Sequence, residues 1–346
     1  MTATEEKAMA RSAPEVLAWS RGLVDPALRK AVDSMPGPMR HIGGYHFGWW
    51  DEHGNPTETD GGKAIRPALT LLAAAAVRGD PTGAVPAAVS VELVHNFSLL
   101  HDDVMDGDLT RRHRRTAWSV FGRRNAILAG DALLALACDV LAASGHPTIQ
   151  TGLRMVSATV LELLRGQHAD IAFEGREDVD LVECQHMAEG KTGALMGCAC
   201  ALGGLFGGGS AEQVSHLRRF GQRLGLAFQH FDDLLGIWGD PATTGKPVHS
   251  DLDNRKKSLP VVAALTSGTA AGRELAGLYH RDEPLSTGEL VHAADLVDRA
   301  GGRAWSQAQT EYLMGLALEQ LRFADPAERP GAELVALSRF VTNRDH

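Results

Sequence analysis

Cysteine is scarce in this chain. Four thiols in 346 residues cannot frame a disulfide scaffold. Cys198 and Cys200 fall in GALMGCACALGG, where small and apolar neighbours point to close helix packing rather than to a metal site. A reducing, cytoplasmic setting is the expectation. Basic excess is missing as well: the formal net charge is −9, which argues against a general nucleic-acid binder while leaving room for a local basic pocket. No uninterrupted apolar run reaches bilayer length. AILAGDALLALACDVLA is broken by Asp131 and Asp139, so no stable membrane insertion is expected. The opening MTATEEKAMARSAPEV carries acids and no apolar core, unlike a secretory signal. There is no Walker-type glycine loop, so ATP chemistry lacks support, and no Ser-His-Asp, Cys-His or zinc spacing emerges.

What is present is helical periodicity almost throughout. Val91, Val94, His95, Ser98, Leu99 and Asp102 recur at three- and four-residue steps, as do Val156, Val160, Leu163 and Gln167. Alternating strand-type runs are scarce, which gives an all-α fold class. Breaker residues cluster at 35–44, 51–62, 79–86, 144–147, 206–209, 239–250 and 267–272. No low-complexity linker divides the chain, so a single domain over residues 14–346 is expected behind a flexible tail of residues 1–13. GALMGCACALGGLFGG is rich enough in Gly and Ala to let neighbouring backbones approach closely. In residues 41–60, Tyr45, Phe47, Trp49 and Trp50 are expected to cover a core rather than to bind a partner.

The chemistry concentrates in acids and cations. In LLHDDVMDGD, Asp102, Asp103 and Asp106 share one helical face. Three carboxylates that close repel one another unless cations bind. A lone DD pair reads as a solvated helix end, but DLTRRHRR follows and adds Arg111, Arg112, Arg114 and Arg115. Acids that suit Mg²⁺ beside a fork of guanidiniums match the needs of a diphosphate. RRHRR is too short and lacks the interleaved aromatics of a nucleic-acid arm. GGKAIRPAL places Lys63 and Arg66 near a helix start, a natural anion site. EGKTGAL offers Lys191 and Thr192, and NRKKSLP offers Lys256. A second acid pair, Asp232 and Asp233, stands in FQHFDDLLGIWGD, where Gly236 holds the place of a third acid.

Together GGKAIRP, VELVHNFSLLHDDVMD with Arg111 and Arg112, LAGDALL, GQHADI, KTGAL, FQHFDD, GKPVHSDL and KKSLP resemble the trans-isoprenyl diphosphate synthase (polyprenyl synthetase) family. The resemblance runs from about Gly61 to Pro260 and is closest in appearance to actinobacterial geranylgeranyl diphosphate synthases. It implies an antiparallel helix bundle around a deep apolar cavity, the isoprenoid synthase fold, assembled as a homodimer. It further implies three Mg²⁺ per site, held by Asp102, Asp106 and Asp232, with Asp103 and Asp233 in support. Arg111, Lys191 and Lys256 would contact an allylic diphosphate. Lys63, Arg66, His95 and Arg112 would hold isopentenyl diphosphate, and Thr192 and Gln229 would offer dipoles toward a carbocation. Phe97 and Ser98, about one turn or 5.4 Å below Asp102, would form the floor that sets chain length. Ser98, where an aromatic would give the fifteen-carbon product, and Phe97 together imply geranylgeranyl diphosphate.

Two departures stand out. RRHRRTAW replaces the Gly and Pro usual after the arginine pair, altering loop geometry or adding a cation. Gly236 replaces the third acid of the second cluster, which Asp240, two turns beyond Asp232, could partly restore if the helix continues. The alternatives are a terpene synthase or cyclase on the same fold, which has no use for the isopentenyl cations, and a non-catalytic partner subunit, in which the metal-binding acids tend to be lost.

Overall fold

The computed structural model describes residues 9–57, 62–241, 247–281 and 283–342. The chain opens with α1 (Ala13–Asp33), α2 (Gly37–His46) and α3 (Ile65–Ala76), then α4 (Val85–Asp106) after a tight turn at Pro81–Ala84. A hairpin, β1 (Thr110–Arg111) and β2 (Arg114–Arg115), leads to α5 (Ala117–Phe121), α6 (Arg123–Ala142) and α7 (Ile149–Glu174). Next come α8 (Leu181–Ala188), a π-helical segment (Glu189–Gly193), α9 (Ala194–Phe206) and α10 (Ala211–Trp238). Beyond these lie α11 (Ser250–Asp253), α12 (Leu259–Leu265), α13 (Ala270–Tyr279), α14 (Thr287–Arg299), α15 (Gly302–Phe323) and α16 (Glu328–Thr342). The fold is all-α, as the periodicity predicts; among the described residues the hairpin is the only sheet.

Local chemistry sets the helix ends. Ser210 caps α10 by accepting from Gln213 N at 3.2 Å, and Gln213 answers through Ser210 N at 3.1 Å. Asp180 with Glu183 and Ser286 with Glu289 form the same reciprocal box before α8 and α14. Gly107, at φ 69°, stops α4 just after its last acid. The core is built on α9, which is buried over nearly its whole length against α3 and α10. A Cβ at Gly203 would run into the Thr70 carbonyl, and one at Gly221 into the Met196 carbonyl. The close approach expected of this Gly/Ala run is therefore present, with Cys198 and Cys200 buried in it as free thiols.

Three expectations change. The breaker run 35–44 is largely helical, because Pro36 opens α2 and Gly44 is needed for contact: the Trp50 indole occupies the space of its side chain. Tyr45 and Phe47 are buried, and Trp49 stacks on Phe47 with centroids 4.8 Å apart, so these aromatics do cover the core. Arg11 donates to the buried Glu333 of α16 at 2.9 and 2.7 Å, so ordered structure begins before residue 14; residues 1–8 lie outside the described residues. Two helical stretches, Pro81–Asp106 and Arg123–Ala142, are long and apolar enough for a membrane span, Asp131 and Asp139 notwithstanding. Both pack in the bundle, α6 against α4, with 67% and 39% of their apolar windows buried.

Candidate active site

The end of α4, the hairpin, the π segment, α10 and α11 surround one cavity of about 690 Å³. On its α4 wall, Asp102 accepts from Lys191 Nζ at 3.1 Å and faces Arg111 at 3.6 Å. Burial alone would push this carboxyl up, but the charges of Lys191, Arg111 and Lys256 outweigh it and hold Asp102 below the usual range. Asp103 behaves oppositely. It turns inward to Arg111 Nε at 2.7 Å, and burial pushes it up to about 6 despite that partner. Asp106 accepts from Lys256 Nζ at 3.0 Å. Burial works against the charge on Lys256, yet Asp106 and Asp251 keep it firmly protonated.

Lys191 reaches this cluster because the π segment inserts an extra residue into the α8–α9 run, a feature frequent at functional sites. It also donates to Asp170 at 2.6 Å, an acid in GQHADI to which no role was assigned from the residues. On α10, Asp232 is exposed and lines the cavity, whereas Asp233 is buried. Asp233 accepts from Gln229 at 2.6 Å and from Leu259 N at 2.9 Å. Burial, then the charge of Asp251, pushes Asp233 up to about 8. Thr192 donates to Gln229 at 2.6 Å, so Thr192, Gln229 and Asp233 form one chain of hydrogen bonds along the cavity wall.

A second group of cations gathers on another part of the wall. Arg66 in the first turn of α3 meets His95 Nε2 at 3.2 Å. Burial first, then Arg66 and Arg112, holds His95 well below its ordinary range, so the neutral ring accepts this hydrogen bond. Arg112 packs on Gly62, where any Cβ would lie 2.5 Å from the guanidinium. With φ at 104°, Gly62 is a glycine on both counts. Lys63 precedes α3 rather than starting it and stands 5.1 Å over the Phe340 ring; Gly61 lies outside the described residues. Glu92, buried and hydrogen-bonded by Asn96 at 3.0 Å, also lines the cavity, a residue that motif reading missed.

The four arginines of RRHRR divide. Arg111 pairs with Asp103 and Asp102, and Arg112 faces the cavity. Arg114 instead donates to the Tyr45 and Trp50 carbonyls at 3.0 and 3.1 Å and covers the Tyr45 ring. Arg115 donates to Ser119 O at 2.6 Å on the surface. The altered loop is a two-residue hairpin turn with Arg112 and His113 at φ 51° and 61°, a conformation in which Asn-Gly is the usual pair. Asp240 does not extend the second cluster: α10 ends at Trp238 and Gly239 is extended. Phe97 is buried edge-on to His101 at 4.8 Å, and Ser98 donates to His95 O at 2.7 Å. Neither is among the lining residues; Leu99, Met187 and Phe228 are. Leu99 was legible, lying three residues before Asp102 on the same face.

An all-helical bundle whose cavity carries two acid clusters and two groups of cations belongs to a definable class, enzymes that grip the diphosphate ends of apolar substrates. This chain belongs to the polyprenyl synthetase family, whose profile matches residues 49–297, and it is a trans-prenyltransferase. It is 46% identical over 339 residues to a (2E,6E)-farnesyl diphosphate synthase of Mycobacterium tuberculosis (strain ATCC 25618 / H37Rv), covering 97% of this chain and 94% of that one. It is 44% identical to a geranylgeranyl diphosphate synthase of the same strain, covering 95% and 93%. A solved polyprenyl synthetase from Streptomyces coelicolor A3(2) superposes with a TM-score of 0.92 at 45% identity, covering 96% of this chain and all of the other.

Proposed function

We propose that this prenyltransferase condenses isopentenyl diphosphate head-to-tail with an allylic diphosphate and releases geranylgeranyl diphosphate. The observation that carries the reading is the pairing of two anion subsites in one cavity: Arg111, Lys191 and Lys256 beside the acids, and Arg66 and Arg112 around a neutral His95, with Lys63 also in the lining. The donor set fits Mg²⁺. Asp102, Asp170 and Asp232 offer hard carboxylate oxygens to one cavity, and Asp106 stands beside it, paired with the cavity-lining Lys256. Among the described residues no three potential ligands converge on a single metal position, so a bound Mg²⁺ would take most of its shell from water and phosphate. When bound, Mg²⁺ supplies positive charge to the departing diphosphate.

The chain's own residues do the rest. Lys191 and Lys256, held charged by their aspartates, bind the allylic diphosphate as its charge builds. Arg66 and Arg112 anchor the second diphosphate so that its double bond lies close to the reacting carbon. Leu99, Met187 and Phe228 keep water from the carbocation, and Thr192 and Gln229 turn dipoles toward it. No side chain is needed as base, because the departed diphosphate can take the proton.

The cations of the second subsite favour elongation over cyclisation of a single allylic diphosphate, and the complete first acid cluster favours catalysis over a subunit role. The farnesyl relative is slightly more similar than the geranylgeranyl one, at 46% against 44% identity, so the twenty-carbon reading rests on what the resemblance implies for Ser98 and Phe97, which stand behind the cavity lining rather than in it. The test is incubation with Mg²⁺, isopentenyl diphosphate and each allylic primer, with products identified by mass. Twenty-carbon diphosphate supports the reading, and a product that stops at fifteen carbons overturns the chain length. A hydrocarbon or alcohol from one allylic diphosphate alone identifies a cyclase, and no product from any primer identifies a subunit. Phe97→Ala should lengthen the product; an unchanged distribution places the floor elsewhere.

A further inference from the structure

The place where the second cluster lacks its third acid is filled. Gly236 stands one helical turn beyond Asp232 on α10. A Cβ built there would collide with Cγ and Oδ2 of Asp251 and lie 2.9 Å from its Oδ1. Asp251 comes from α11, fifteen positions along the chain, and two contacts pin α11 to the last turns of α10. His249 Nδ1 meets Ile237 O at 2.7 Å, and Leu252 is buried in a cluster with Ile237. Asp251 lines the same cavity as Asp232 and Lys256, and its carbonyl accepts from Lys256 N at 2.9 Å. Its charge is felt on both sides, by Asp233 and by Lys256.

We propose that Asp251 supplies from α11 the carboxylate that position 236 lacks, and that position 236 is glycine because this carboxylate occupies the space of its side chain. The second cluster is then Asp232, Asp233 and Asp251, with the third acid carried on the segment that also presents Lys256 to the diphosphate. Resting on the function proposed above, the role of Asp251 is to accept hydrogen bonds from the water shell that Mg²⁺ retains. It is a positioning residue for the metal and does not replace Asp232.

The experiment is a thermal-shift titration of the full chain with Mg²⁺, using inorganic pyrophosphate as the probe and reading the Mg²⁺ midpoint of the stabilisation. Asp251→Asn should raise that midpoint by about 10-fold or more. Gly236→Ala, which evicts the carboxylate without replacing it, should do the same. Gly236→Asp, which evicts it but brings its own, should stay within about 3-fold of the wild type, alone or combined with Asp251→Asn. Equal midpoints for Gly236→Ala and Gly236→Asp overturn the proposal. So does an Asp251→Asn protein that melts earlier without metal yet keeps its midpoint, since that would mark a residue that only shapes α11. A wild type indifferent to Mg²⁺ and pyrophosphate overturns the proposed function together with this inference, whereas variants that all match a responsive wild type overturn this inference alone.

Discussion

Asp102 and Asp103 are chain neighbours whose carboxyls shift in opposite directions, Asp102 down and Asp103 up to about 6, and surroundings rather than residue type separate them. Asp102 meets two cations at the cavity wall, while Asp103 is folded under Arg111. Asp102→Ala should therefore cost at least about 100-fold in turnover, measured as isopentenyl incorporation at saturating Mg²⁺; near-native turnover would remove Asp102 from the metal set. Histidines act at the same scale on stability. Burial holds His230 at about 4, against about 6.5 in the unfolded chain. Between those values the unfolded chain binds a proton that the folded one refuses. This stabilisation is complete above pH 6.5 and is lost as the pH falls toward 4, by up to about 1.4 kcal/mol per pH unit. His230→Gln should shrink the stability difference between pH 7 and pH 5 by about 2 kcal/mol in urea unfolding; an unchanged difference would mean the imidazole protonates in place. Asp103 and Asp233, both raised, work in the opposite direction over this range.

At the scale of elements, the site depends on how closely helices approach. The π segment lies so near α7 that a Cβ at Gly166 would collide with Lys191 N and sit 2.8 Å from the Gly190 carbonyl carbon. Gly166→Ala should push the segment away, pull Lys191 from Asp170 and Asp102, and destabilise the fold by about 1–3 kcal/mol. Paired measurements of melting temperature and turnover check this, and a variant native in both would show that the contact relaxes freely. GQHADI and KTGAL could be read as motifs, but only the π geometry explains why their Asp170 and Lys191 meet. The same holds for the hairpin. The residues of RRHRR suggest four equivalent cations, whereas the turn sends Arg114 to the Tyr45 and Trp50 carbonyls and leaves Arg111 and Arg112 to the site.

At the scale of the molecule, the outer faces of α6 and α7 are unusually apolar: Leu128 and Leu161 are 52% and 63% exposed, with Ile127, Leu164 and Ile171 nearby in sequence. We propose that a second copy of the chain covers this face, forming the homodimer that the resemblance implies. Light scattering should give twice the chain mass for the wild type, and Leu128→Asp with Leu164→Asp should give a monomer. A wild-type monomer would leave the face to another role.

The sequence by itself determined the all-α class and the family, and it named most side chains that gather at the candidate site, because helical period and motif spacing are local and survive in one dimension. Asp102, Asp106, Lys191, Lys256, Arg66 and His95 were all named from it, and all reach the cavity or its acids. Tertiary structure decided what depends on residues far apart in the chain. It left one member of each aspartate pair accessible and buried the other, since burial is set by neighbouring helices. It cut off Asp240 by ending α10 at Trp238. It brought Asp251 into the space beside Gly236, so a position that reads in the sequence as a missing acid is, in three dimensions, the room another acid needs.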